Sequence, residues 1–310
     1  MALDNGVNFI DTAEMYPTTP LRKETQGDTE RIIGEWIARS KRRSDVVIAT
    51  KVSGAGYKNV RDGAPISPAS ISAAIENSLK SLRTDYIDLY QLHWPNRGSY
   101  MFRQNWTYNP SQQDTDGTLT HMIEVLQRLE ALRIDGKIRY VGLSNESAWG
   151  TMRWLSAASA DNLPRMVSVQ NEYNLLCRLF DLDMAELSHH EKIGLLSFSP
   201  LAAGLLSGKY ADEAIPAGSR RSINADLGGR INTYLWPALD SYLDIAKQHE
   251  LDPCQMALAW GATRPFMTSQ IIGATAKAQL QTALESTTIK LSDAVIRDIQ
   301  NIYRRYPMPC

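Results

Sequence analysis

The chain has 310 residues, 43% hydrophobic and 22% charged, which is enough to bury the core of one large globular domain. A formal net charge of -1 argues against nucleic acid or an anionic membrane as the main partner. Cys177, Cys254 and Cys310 are widely spaced and show no zinc-ligand pattern, which fits a reducing compartment better than a disulfide framework.

No segment approaches the ~20 apolar residues that a bilayer span needs. The opening Met1-Ala2-Leu3-Asp4-Asn5-Gly6 lacks the basic and apolar regions of a signal peptide, so the cytoplasm is the expected location. Residues 2–6 read as the last turn of a helix stopped by Gly6.

Seven short runs then alternate with helical patterns. The runs cover residues 7–12, 46–52, 87–94, 138–145, 166–173, 194–201 and 270–275. Most are continuously apolar, as parallel strands buried on both faces are. Between them, 29–39 places Ile32, Ile33, Trp36 and Ile37 on one helical face. Residues 70–82 space Ile71, Ala74, Ile75, Ser78, Leu79 and Leu82 in the same way. Helices are also expected over 119–132, 149–158, 235–249, 253–263 and 277–286, and an extra one, 292–306, follows with no strand after it. Residues 95–117 and 202–232 read as long loops.

This order predicts an α/β fold, a TIM (β/α)8 barrel in one domain over residues 1–310. Only seven strands are counted, so the first strand is expected to be lacking. Asp11, Lys51, His93, Asn145, Gln170 and Ser199 each fall at the C-terminal end of a different run. In a barrel those ends share one mouth, whereas an open sheet would string them along an edge.

Within Asp11-Thr12-Ala13-Glu14-Met15-Tyr16, a carboxylate ends a strand and a phenol follows five residues later. Lys51 and His93 end the next two runs. A phenol is a weak acid of ordinary pKa ~10, and a neighbouring ammonium is expected to lower that value. Asp11 would keep Lys51 charged, and His93 would hydrogen-bond a substrate oxygen or share proton delivery. The hydride for a carbonyl reduction would come from a redox cofactor, since no side chain donates one. Taken singly, each residue has a plainer reading: Asp as a turn cap, Lys as a solvated or paired cation, His as a structural histidine. Together at successive strand ends they point to chemistry.

The runs Asn8-Phe9-Ile10-Asp11-Thr12-Ala13-Glu14-Met15-Tyr16, Ala49-Thr50-Lys51-Val52 and Asp85-Tyr86-Ile87-Asp88-Leu89-Tyr90-Gln91-Leu92-His93-Trp94-Pro95 resemble signatures of the aldo-keto reductase superfamily. So do Gly136-Lys137-Ile138-Arg139-Tyr140-Val141-Gly142-Leu143-Ser144-Asn145 and Gly204-Leu205-Leu206-Ser207-Gly208-Lys209-Tyr210. Within that superfamily the chain resembles the bacterial Tas-type reductases, relatives of the potassium-channel β-subunits. Family members begin with a hairpin and a first strand that this sequence lacks.

The resemblance implies NADP(H)-dependent reduction of aldehydes and ketones, with Asp11, Tyr16, Lys51 and His93 as the catalytic tetrad and Tyr16 as the acid. It implies nicotinamide contacts from Ser144, Asn145 and Gln170, with Phe198 stacked on the ring. Ser199, Pro200, Leu201, Ala202 and Gly204 would line the pyrophosphate, with Lys209 and Arg220 as cationic partners. Gly273, Thr275 and Gln279 would take the adenosine end with its 2′-phosphate. Ala283 and Thr282 depart from the family's Asn and acid there, which weakens the expected adenine contacts.

Gly54-Ala55-Gly56 follows a strand but lacks the third glycine of a dinucleotide loop, since Asn59 stands there. It reads as a mobile connection. The aromatic group Trp94, Tyr100, Phe102, Trp106 and Tyr108 either lines a substrate pocket or packs on itself.

Two other function classes compete with the reductase. One is an NADPH-binding regulatory subunit with little turnover, similar to the channel β-subunits. The other is metal-dependent hydrolysis, which needs several ligands at strand ends; of five histidines only His93 sits at one, so no metal is expected. The expected partner is a small carbonyl substrate, with no nucleic acid and no membrane insertion, and homo-oligomerisation is left open.

Overall fold

The computed structural model describes residues 1–310. Seven parallel strands succeed one another in chain order, β1 to β7, with helices in the crossovers. This is the α/β architecture of the TIM-barrel type that the alternating pattern predicts. The chain divides into two compact units, Gly6–Gln170 and a second one made of Met1–Asn5 with Asn171–Cys310.

The first unit runs β1 (Phe9–Asp11), α1 (Asp28–Ser40), β2 (Val47–Val52), α2 (Pro68–Leu82), β3 (Ile87–Leu92), α3 (Thr115–Ile134), β4 (Ile138–Ser144), α4 (Ala148–Ala160) and most of β5 (Met166–Glu172). Every residue of β3 and five of the six in β2 are buried, as expected of parallel strands covered on both faces. Helix starts are written locally. Ser67 Oγ caps α2 by accepting from the Ser70 amide at 3.1 Å, and the Ser67 amide donates in return to Ser70 Oγ at 2.8 Å, with Pro68 at the first helical position. Asp114 and Ser147 cap α3 and α4 through the amides of Gly117 and Gly150, at 3.0 and 3.1 Å.

The face expected for the first helix is corrected. Ile32 is 65% exposed, and α1 instead buries Glu30, Gly34 and Ile37. Gly34 decides this, because a Cβ there would stand 2.1 Å from the Ser81 carbonyl oxygen. The helix backbone presses directly on the end of α2. Glu30 is tolerated inside because Thr50 donates to its carboxylate at 2.5 Å.

The second unit continues through α5 (Asp183–Glu191), β6 (Gly194–Phe198), α6 (Arg220–Ile223), α7 (Leu235–Gln248), α8 (Pro253–Ala262), β7 (Met267–Ile271), α9 (Lys277–Glu285) and α10 (Asp293–Arg305). Two points differ from the sequence expectation. Helix α5, which buries Met184, Leu187 and Ser188, carries the i, i+3, i+4 signal but is not among the expected helices. The last strand begins earlier than residue 270, because its register pairs Met267 with Leu195 and Ile271 with Phe198; residues 273–275 are exposed beyond its end. No helix is long and apolar enough to cross a membrane.

Candidate active site

In the first unit the parallel ladder continues past the end of β1. The amides of Thr12 and Glu14 donate to the carbonyls of Ala49 and Lys51 at 2.9 and 3.2 Å. A turn from Ala13 to Tyr16, closed by a 3.0 Å bond, then brings the phenol back toward Lys51. Lys51 Nζ donates to Asp11 Oδ2 at 2.6 Å and to the Thr12 carbonyl at 2.8 Å, and it lies 5.0 Å from the centre of the Tyr16 ring. The His93 amide extends the next ladder by bonding Val52 O at 2.9 Å, and its imidazole meets Tyr16 edge-on with centroids 5.6 Å apart. Asp11, Tyr16, Lys51 and His93 are therefore assembled in one place.

The second oxygen of Asp11 is also held. Gln170 Nε2 donates to Asp11 Oδ1 at 2.8 Å and Gln91 Nε2 donates to it at 3.3 Å. Gln91 is a site residue that sequence reasoning missed. Its signal was parity: it lies two residues before His93, on the same side of β3. Asn145, at φ 52°, bonds the Gln170 carbonyl through its amide at 3.0 Å, and its Nδ2 donates to His93 O at 2.9 Å. Ser144 Oγ donates to the same Gln170 carbonyl at 2.8 Å. What remains open is Asn145 Oδ1, a buried acceptor with no hydrogen bond, and His93 Nδ1, equally buried and unpartnered.

Burial sets the protonation states. It pushes the Tyr16 phenol above its ordinary pKa of 10.0; the charge of Lys51 pulls the other way but does not overcome it. The expectation that Lys51 leaves Tyr16 with a lowered pKa is thus corrected. Burial also works against the Lys51 ammonium, but Asp11 and Tyr16 more than offset it, and its pKa is raised. Burial, reinforced by Lys51, holds His93 well below its usual range, so His93 is neutral near pH 7. A neutral imidazole has one ring nitrogen that donates and one that accepts a hydrogen bond.

The loop of Gly54 and Gly56 is not an open connection. Trp94 Nε1 donates to Ala55 O at 3.0 Å, and a Cβ on Gly54 would lie 2.4 Å from the indole. The glycine is there so that the backbone can lie on Trp94. The aromatic group divides. Trp94 and Tyr108 line a cavity of about 810 Å³ with Asn96, Gln113 and His121, while Phe102 and Trp106 are exposed. Neither Tyr16 nor Lys51 lines that cavity, so it adjoins the tetrad through Trp94 rather than containing it.

In the second unit, Phe198 ends β6 and is followed by a loop with unusual backbone. Ser199, Ala202 and Ala203 have φ of 50°, 48° and 58°, and Gly204 has 97°. Pro200 and Ala202 are buried, Leu201 and Gly204 partly so. At Gly204 a Cβ would stand 2.8 Å from Lys209 Nζ, so the missing side chain lets the ammonium lie against the turn. Of two neighbouring arginines, Arg221 is buried and donates to Ala214 O at 3.0 Å, while Arg220 is exposed at the start of α6. Gly273 has open space where a Cβ would sit, and Gln279 Oε1 accepts from the Thr275 amide at 2.8 Å just ahead of α9.

The sequence model described as "Aldo/keto reductase family" matches residues 1–304. "Protein tas" of Escherichia coli is 40% identical over 314 residues, covering 99% of this chain and 88% of that protein. "Uncharacterized oxidoreductase YrpG" of Bacillus subtilis is 31% identical, over 97% of this chain and 84% of its own length. "Probable voltage-gated potassium channel subunit beta" of Arabidopsis thaliana is 29% identical, over 98% and 85%. This chain belongs to the aldo/keto reductase family and has oxidoreductases among its relatives.

Proposed function

We propose that the protein reduces aldehyde or ketone carbonyls to alcohols with NADPH, using Tyr16 as the general acid. The observation that carries this reading is the Lys51–Asp11 pair set against the Tyr16 ring beside a neutral His93. A bound NADPH supplies the hydride. The residues fit such a group: Asn145 Oδ1 is a buried acceptor awaiting an N–H donor, which a carboxamide offers. Ser144, Asn145 and Gln170 are proposed for the nicotinamide, with Phe198 as the stacking ring. Ser199, Pro200, Leu201, Ala202 and Gly204, with Lys209 and Arg220, are proposed for the pyrophosphate, and Gly273, Thr275 and Gln279 for the adenosine end with its 2′-phosphate.

The proton step follows from the first unit alone. His93 hydrogen-bonds the carbonyl oxygen and holds it toward Tyr16. As that oxygen gains negative charge, the phenol donates its proton. An alkoxide is a stronger base than a phenolate, so transfer stays downhill even with the Tyr16 pKa raised. Lys51 stabilises the phenolate left behind, and Asp11, fixed by Gln170 and Gln91, keeps the ammonium in place.

The test is NADPH oxidation with a panel of nitrobenzaldehydes, methylglyoxal and quinones. Consumption with at least one, lost in Tyr16→Phe, is expected; full activity in Tyr16→Phe removes the mechanism. A second reading, an NADPH-holding regulatory subunit with slow turnover, draws support from the similarity to the Arabidopsis protein. Tight NADPH retention without consumption across the panel would favour it.

A further inference from the structure

Glu14 lies between Asp11 and Tyr16 and takes no part in the proton step, yet its carboxylate is fully engaged. Oε1 accepts from the Ser53 amide at 2.5 Å and Oε2 from Arg61 Nη1, while Arg61 Nη2 donates to Ser53 O at 3.1 Å. Both side chains are largely enclosed, at 11% and 20% exposure. The backbone from Arg61 to Gly63 is left-handed, with φ of 46°, 54° and 80°, and this turns the guanidinium back onto the start of its own loop. The Gly56 amide closes the loop on Gly63 O at 2.9 Å. The same loop presents Ala55 O to Trp94, whose ring lies 4.9 Å from that of His93.

We propose that Glu14 and Arg61 form a positioning clamp, fixing the loop that carries Tyr16 to the loop that leaves Lys51 and, through Ala55 and Trp94, to His93. The inference rests on the reductase reading for its kinetic consequence but not for its structural one. Neither residue touches the reacting atoms. Their contribution is to keep donor, ammonium and imidazole within the narrow range of distances that proton delivery needs. A surface ion pair would add little, but this one joins two loops that begin at different catalytic strand ends.

Four variants test it: Arg61→Met, Arg61→Lys, Glu14→Gln and the double variant Glu14→Gln/Arg61→Met, each checked by thermal unfolding. Arg61→Met and Glu14→Gln are expected to lower kcat about 10- to 100-fold with KM moved far less, since loss of alignment acts on the transition state. Arg61→Lys should recover part of that loss. The double variant should be no slower than the worse single one, because both break the same contact. Wild-type kcat in folded Arg61→Met, or losses that multiply in the double variant, would overturn the clamp.

Amide hydrogen exchange on the ligand-free protein gives a readout independent of activity. Arg61→Met should raise exchange in residues 12–16 and 53–63 together, and a rise confined to 53–63 rejects the coupling. A wild-type protein without reductase activity defeats the functional reading, while exchange still decides the clamp.

Discussion

Two loop systems, one in each unit, hold their residues in different ways. In the first, Asp11 alone receives hydrogen bonds from Lys51, Gln170 and Gln91, and the loop that follows it stays in the β-ladder as far as Glu14. In the second, the long segment after β6 buries Leu205, Leu206, Tyr210 and Leu227, and Arg230 ties its far end back by hydrogen bonds. Arg230 donates to Glu172 at 3.0 Å and also reaches Leu227 O at 2.5 Å and Ser199 Oγ at 3.5 Å. Asn174 adds one bond to Ser199 O at 3.0 Å. The first is held by polar bonds that converge on one carboxylate, which fixes direction as well as position, whereas the second rests on apolar burial with polar ties at its ends.

The largest effect expected in either system is Tyr16→Phe. It should cut kcat for carbonyl reduction by about 10²- to 10⁴-fold with the fold unchanged, measured by NADPH oxidation. Arg230→Met tests the other side. It removes the guanidinium from the buried Glu172 carboxylate and should cost about 1.5–3 kcal/mol in denaturant unfolding. It should also expose residues 202–232 to protease. Equal protease resistance in the variant would show that the segment is held by more than Arg230.

Smaller effects sharpen the contrast. Gly34→Ala drives a Cβ onto the backbone of α2, and relief of that clash should cost about 1–3 kcal/mol without touching the tetrad, so kcat should persist in whatever fraction stays folded. The smallest expected effect is no change at all. Tyr16 must carry its proton to act, and its pKa is raised, so reduction should decline only as pH rises above the ordinary phenol value of 10.0. His93 is already neutral because its pKa is lowered from 6.5, so kcat should be flat from about pH 6 to 8. An inflection near pH 6.5 would mean that His93 does titrate, and that the first loop system is less enclosed than its geometry indicates.

Much of this arrangement is legible in the amino-acid order. Predominantly apolar runs mark β2 and β3 because both faces of those strands are covered, and Lys51 and Gln91 interrupt them where they approach Asp11. Ser67, Pro68 and Ser70 announce α2 by local hydrogen bonding alone. The orientation of α1 was not legible in this way. Its isoleucines suggest one face, but contact with α2 selects Gly34 for its lack of bulk, and that preference exists only once the two helices meet. Gln91 and Arg61 were equally hidden, since each is a polar residue whose partner lies far along the chain.

The sequence by itself determined the class of fold, the succession of strands and most helices, and the candidate side chains Asp11, Tyr16, Lys51 and His93, because these depend on periodicity and on residue chemistry within a few positions. Only the tertiary structure decided how those side chains behave. The pKa of Tyr16 depends on the balance between burial and the field of Lys51, and burial is a property of the whole packed unit. Glu14 and Arg61 meet only because two loops from different strands are folded against each other.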